Sequence, residues 1–199
     1  MVNLTPAPPE VREMIREVIE GYHPDLVAAD VRVNALMAWS KAGDPVRLQG
    51  YPCAAVIRKN SVRDRIEGKA DATITIDEER WENLDERGRV ALIDHELYHL
   101  VPQVEGTDAE GRRIWKTDSA GRPVLKIRLH DWELGGFAEI AERHGNAAIE
   151  VRAWQRVNED FRQLVFAWTD DTIGSRDGER TELGQQMVAS LRKFADSAE

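Results

Sequence analysis

The chain has 199 residues, 42% of them apolar, which suits one domain of ordinary size with a sizeable core and room for a helical extension. A net charge of −9 with 32% charged residues describes a solvated surface that repels phosphate backbones, which disfavours generic nucleic-acid binding. No apolar run reaches the ~20 residues that cross a bilayer, and Met1–Glu10 lacks the basic start and apolar stretch of a secretory signal.

Thr5-Pro6-Ala7-Pro8-Pro9 reads as a stiff leader closed to helix. Val11, Met14, Ile15, Val18 and Ile19 then recur at helical spacing and predict an amphipathic helix ending near Gly21. Val31–Trp39 and Cys53–Lys59 read as strands, with Ser40-Lys41-Ala42-Gly43-Asp44-Pro45 supplying turn chemistry between them. Cys53 is the only cysteine, so no intramolecular disulfide is possible and a reducing, cytoplasmic setting is expected. Flanked by Ala54, Ala55, Val56 and Ile57, it reads as a small buried hydrophobe. Arg58, Lys59, Arg63, Arg65 and Lys69 concentrate positive charge and read as a solvated loop rather than a basic groove. Ala72–Ile76 alternates β-branched residues as a third strand. It stops at Asp77, the N-cap of a short helix whose start carries Glu78, Glu79 and Glu82.

The next element carries the chemistry. A helix from about Arg87 to Leu100, stopped by Pro102, contains His95-Glu96-Leu97-Tyr98-His99, an H-E-x-x-H motif. Two histidines four apart lie on one helix face about a turn from each other, so both imidazoles can ligate one zinc ion while Glu96 handles protons beside it. Asp94 points to another face and is expected at the solvated surface. Tyr98 is read as packing, with hydrogen bonding to a developing oxyanion as the alternative.

Beyond a polar stretch at Val104–Gly111, Arg113–Thr117 and Val124–Leu129 predict a hairpin turned at Asp118-Ser119-Ala120-Gly121-Arg122-Pro123. His130 and Asp131 close its second strand, and Phe137–His144 is a helix ended by Gly145. A long helix is expected over Ala147–Trp168, with Ile149, Trp154, Val157, Phe161, Leu164, Val165 and Trp168 on its apolar side. Asp170–Arg180 reads as a polar loop and Leu183–Phe194 as a final amphipathic helix. The class expected is α+β, a small mixed sheet packed on the H-E-x-x-H helix. Residues 1–146 form the site-bearing domain in this reading, and 147–199 a C-terminal helical extension packed on the same core.

Catalytic zinc needs three protein ligands and an open position for water. His130 is the third ligand expected, because a side chain at a strand end can be aimed at a neighbouring helix. Glu139 and Glu142, on the following helix, are the alternatives. His144 is read as a favourable charge at a helix C-terminus, and His23, before Pro24, as exposed. Asp131 is read either as a carboxylate orienting a ligating imidazole or as a helix N-cap.

The strand Ala72–Ile76, Trp81, the run Ala91–His99, His130-Asp131, and Phe137–Ile140 with Gly145 together resemble the phage metallopeptidase family, akin in pattern to SprT-like zincins. The resemblance spans about residues 28–146. It implies a zincin-like fold, zinc on His95, His99 and His130, and Glu96 as general base. The chain departs from the family pattern in placing Trp132-Glu133-Leu134-Gly135-Gly136 before the aromatic Phe137.

The function expected is therefore a zinc-dependent peptidase. It would hydrolyse peptide bonds of an intracellular protein with metal-activated water, and Glu96 would take and return the proton. The substrate would pair as a strand beside the metal helix, with Ala72–Ile76 as the candidate edge. Two other readings stand beside it: a non-catalytic zinc-binding regulatory or interaction module of phage origin, and a DNA-associated SprT-like protease, which the acidic charge disfavours.

Overall fold

The computed structural model describes residues 1–130, 136–156 and 159. The fold and site belong to the compact unit Met1–Arg156. That unit continues past residue 146. Asp131, Trp132–Gly135, most of the helix expected beyond Arg156 and the one expected at Leu183–Phe194 lie outside the described residues.

The proline-rich leader is put to use. Val2–Pro6 forms strand β1, where Pro6 is tolerated because β1 lies at a sheet edge. Pro9 then opens α1 (Pro9–Tyr22), in the first turn, where a missing N–H costs nothing. A short α2 (Pro24–Ala28) leads into β2 (Val33–Ser40). A two-residue pairing of β3 (Arg47–Leu48) with β4 (Tyr51–Pro52) precedes β5 (Ala55–Lys59). Next come α3 (Val62–Ile66), capped by a reciprocal Ser61–Asp64 box, and β6 (Ala72–Asp77). Asp77 caps α4 (Glu78–Glu82) as expected, its side chain accepting from the Arg80 amide. The motif helix is α5 (Glu86–Tyr98), capped by Asp85. Four short strands follow, β7 (Leu100–Pro102), β8 (Val104–Thr107), β9 (Arg113–Trp115) and β10 (Leu125–Ile127), and then α6 (Ala138–His144). Gly145, at φ +52°, ends α6 in a conformation that side chains disfavour. Residues 149–156 are helical again.

The main sheet has the order β1-β2-β6-β5, with β2 and β6 parallel and the outer pairs antiparallel. Ala72–Ile76 is thus a central strand, not the edge expected from sequence. Its inward residues Ala72, Ile74 and Ile76 are completely buried, whereas Thr73 and Thr75 on the other face are half-buried. The edge strand on that side is β5.

Val11, Ile15 and Val18 of α1 and Leu92, Ile93 and Leu97 of α5 pack with Ala35, Met37, Ile57, Ile74 and Ile76 of the sheet in one core. Complete burial of Ile93 and Leu97 contributes roughly 1.5–3 kcal/mol each. A smaller cluster of Phe137, Ile140 and Ala148, with Tyr98 and Val151 against it, lies beside the C-terminal end of α5. With a core on either side, α5 has buried residues around most of its circumference, including the polar Asp94 and Glu96.

The expected hairpin closes only near its turn, through a Thr117–Pro123 bridge. Farther out its two arms take other partners: β9 pairs with β8, and β10 with β7. The exchange seats Leu125 and Leu100 in the core, which continued pairing of the charged Arg113 arm with β10 would not do. Trp154, expected on a buried face, is 47% exposed.

Candidate metal centre

The β7–β10 ladder builds the site. β7 follows α5 after His99 alone, so its pairing with β10 lays Ile127 opposite Leu100 and brings Arg128 beside His99. The Arg128 amide donates to the His99 carbonyl at 2.7 Å. Two residues later, His130 lies over the last turn of α5. One potential ligand atom from each of His95, His99 and His130 falls within 4.8 Å of the others, so these three side chains could hold a metal ion. They form the one such His/Cys/Asp/Glu group among the described residues.

Hydrogen bonds fix which nitrogens face inward. His99 Nδ1 lies 2.7 Å from the Arg128 carbonyl oxygen, which can only accept, so Nδ1 carries the proton and Nε2 keeps a lone pair. His95 Nδ1 lies 3.2 Å from Glu150 Oε1 and is held in the same way by a carboxylate. His95 Nε2 faces His130 Nε2 at 3.2 Å. Two nitrogens each ~2.05 Å from a tetrahedral zinc would stand ~3.3 Å apart, so the donor set fits such an ion. The ring of the completely buried Phe137 lies 5.1, 4.8 and 4.9 Å from those of His95, His99 and His130, a common apolar wall.

Burial pushes the His99 pKa down to about 4, the nearby His95 and His130 adding to the fall, so this imidazole is neutral at pH 7. For His95, burial also disfavours the cation, but the Glu150 and Glu96 carboxylates outweigh it and raise the pKa above its ordinary value. Glu96 is buried on the inner side of α5, and burial raises its carboxyl. Its Oε2 accepts the Ile57 amide of β5 at 2.7 Å, which ties the motif helix to the sheet edge.

Several expectations need correction. Asp94 is completely buried, not solvated. It accepts two bonds from Arg143 Nη1, at 2.8 and 2.6 Å, and lies 2.6 Å from His144 Nε2 and 2.8 Å from His23 Nε2. His23 is 7% exposed and belongs to this cluster, because the end of α1 packs there rather than running free as a linker. His144 likewise serves Asp94 rather than a helix end alone. Burial raises the Asp94 carboxyl, but the close His23 imidazole and the hydrogen bonds from His144 and Arg143 overcome this and lower its pKa. Arg65, read as part of a solvated loop, is 8% exposed at its side chain and paired with Asp118 at 2.8 Å.

Tyr98 packs on Phe137, and its hydroxyl is committed to Glu139. Glu139 also pairs with Arg143 at 2.5 Å, and neither it nor Glu142 joins the histidine group. Asp131 lies outside the described residues. Cys53 is half-buried, and burial raises its thiol pKa, so it is a poor nucleophile. Sequence reasoning missed Glu150. It sits in a helical stretch whose expected buried face was defined by apolar residues, and its partner is 55 positions away, so no local pattern marks it.

No helix of the described residues is long and apolar enough to cross a membrane. No curated protein and no solved structure matches the chain significantly. A family model described as "Putative phage metallopeptidase" matches residues 3–162, well beyond the span in which the sequence alone showed the resemblance. With most of its length covered, the α+β chain, whose three clustered histidines could hold a metal, belongs to that family.

Proposed function

We propose that this chain is a zinc-dependent peptidase that hydrolyses peptide bonds of a protein substrate, with His95, His99 and His130 as zinc ligands and Glu96 as general base in a zincin-like arrangement. The observation that carries the reading is the convergence of three imidazoles, two of which have Nδ1 already held by an acceptor so that Nε2 is presented inward. An all-imidazole set suits zinc, and among the described residues the group has three ligands, the number of the catalytic kind of site rather than of the closed four-ligand kind. Zinc held there supplies a Lewis acid and water acidic enough to ionise near neutral pH.

The protein groups divide the remaining work. Glu96, with its carboxyl raised by burial, is suited to take a proton from water and return it to the leaving amine. The Ile57 amide holds Oε2, which assigns the proton traffic to Oε1. Phe137 excludes water from behind the three imidazoles. The bonds from Asp77 N to Ala54 O and from Asn60 N to Asp71 O put the even-numbered residues of β5 on its β6 side. Ala55, Ile57 and Lys59 therefore turn their amides and carbonyls away from β6, where the Ile57 amide is already taken by Glu96. An extended substrate would pair with the backbone groups of that edge that Glu96 leaves open, beside α5.

The test is Glu96→Gln. It should retain one equivalent of zinc and lose hydrolysis of a dye-labelled unfolded casein by ~10²-fold or more. Cleavage at the wild-type rate by the variant would overturn the role of Glu96, and absence of zinc-dependent cleavage by the wild type would overturn the peptidase assignment for this probe class.

A further inference from the structure

We infer that Glu150 is the positioning residue of this centre: by accepting the His95 Nδ1–H it fixes the tautomer and orientation of that ring and so aims Nε2 at the metal. The inference rests on the metal-centre reading above and adds to it a residue outside the H-E-x-x-H motif and the His130 element.

The side chain of Glu150 is 2% exposed, and its Oε1 lies 3.2 Å from His95 Nδ1. The same oxygen accepts the Phe137 amide at 3.4 Å, so one atom links His95 to the residue whose ring backs all three histidines. The other oxygen, Oε2, is buried and has no hydrogen-bond partner among the described residues. A carboxylate retained only for the fold should have both oxygens served, because an unserved buried oxygen costs stability. Glutamine or an apolar side chain would fill the space at less cost. What a carboxylate offers here is a charged acceptor that both orients an imidazole and makes it a stronger donor to a metal.

The surrounding backbone makes room for it. A Cβ on Gly136 would come within 2.6 Å of Glu150 Cβ and 2.8 Å of its Cγ, so only glycine permits this approach. The two motif histidines thus have different supports. His99 is held by a carbonyl fixed in the β7–β10 connection, and His95 by a charge delivered from the helical stretch at 149–156.

The experiment measures zinc affinity of the full chain by competition with a chromophoric chelator, for wild type, Glu150→Gln, Glu150→Ala, Gly136→Ala and His99→Ala. Side-chain ¹⁵N NMR of the zinc-free proteins reports the His95 tautomer, and urea denaturation reports their stability. Both Glu150 variants and Gly136→Ala should bind zinc ~10–100-fold more weakly; in Glu150→Ala and Gly136→Ala His95 should also lose its predominantly Nδ1–H form, whereas the amide oxygen in Glu150→Gln can still accept that proton. Glu150→Gln keeps the shape, so it serves even if Glu150→Ala fails to fold. Zinc affinity within twofold of wild type in Glu150→Gln, with His99→Ala deficient, would overturn the role of Glu150 while leaving the centre intact. In Glu150→Ala or Gly136→Ala, weaker binding with an unchanged His95 tautomer and a matching loss of stability would also overturn it, in favour of a purely structural role. Wild type that binds no zinc, or His99→Ala that binds like wild type, would instead overturn the metal-centre reading.

Discussion

Asp94→Ala should be among the most damaging single substitutions in this unit. The lost carboxylate is completely buried, and its partners Arg143, His144 and His23 have side chains only 21%, 9% and 7% exposed. Removing one member of a buried ion pair costs about 3–5 kcal/mol, because the other charge stays desolvated. Arg143 is partly reachable by water, which places its share at the low end. The His144 imidazole loses its acceptor in a dry setting, and an unserved buried polar group costs ~1–3 kcal/mol, taken here at its low end. A total of about 4 kcal/mol follows. Urea denaturation of the zinc-free protein at pH 7, followed by tryptophan fluorescence, measures it, provided the denaturant slope is unchanged. Asp44→Ala is the control, since Asp44 pairs with Arg80 in an exposed position and should cost no more than ~1 kcal/mol. A loss below ~1 kcal/mol for Asp94→Ala would refute the reasoning. The acid response has a definite sign: the folded-state pKa of Asp94 is lowered. Its stabilisation is therefore full above the unfolded value of ~3.9 and is lost as pH falls through the lower folded value. Asp94→Asn should flatten the acid limb of the stability profile.

Phe137→Ala should cost ~3–5 kcal/mol by opening a cavity against the three imidazoles, with Phe137→Leu losing less; thermal and urea denaturation check both. Zinc affinity should fall as pH drops through the raised His95 pKa, because the proton competes there, whereas His99 at about 4 stays deprotonated. Competition titrations between pH 8 and 5.5 test this, and an affinity flat over that range would contradict it. Arg65→Ala should destabilise by ~1–3 kcal/mol without touching zinc binding, since it strands the buried Asp118 side chain far along the chain from the motif.

Local chemistry was readable where residues near in sequence decide the outcome. The cap at Asp77, the alternation in β6 and the glycine stop after α6 each act within a few residues. The motif histidines are legible for the same reason, and His130 is singled out because a two-ligand helix demands a third; the structure brings a potential ligand atom of each within 4.8 Å of the others. What failed was pairing and burial set at a distance. Nothing in Ala72–Ile76 says that β5 and β2 will flank it, and nothing around Leu125 says that β7 outcompetes β9 for its strand. Asp94 looked like a surface carboxylate because its three partners come from positions 23, 143 and 144, and Glu150 stayed hidden because it answers to a histidine in another helix. Polar residues inside a core leave no periodic trace, so they are the part of a site that only the assembled fold exposes.

The central claim is that His95, His99 and His130 share one metal ion. Its most direct test is metal content by mass spectrometry after dialysis of zinc-loaded wild type and His130→Ala. The account predicts one equivalent in the wild type and a loss to well below one in the variant, with the zinc-free variant still folded. A full equivalent retained by His130→Ala would contradict it and would move the third ligand away from the strand end that follows β10.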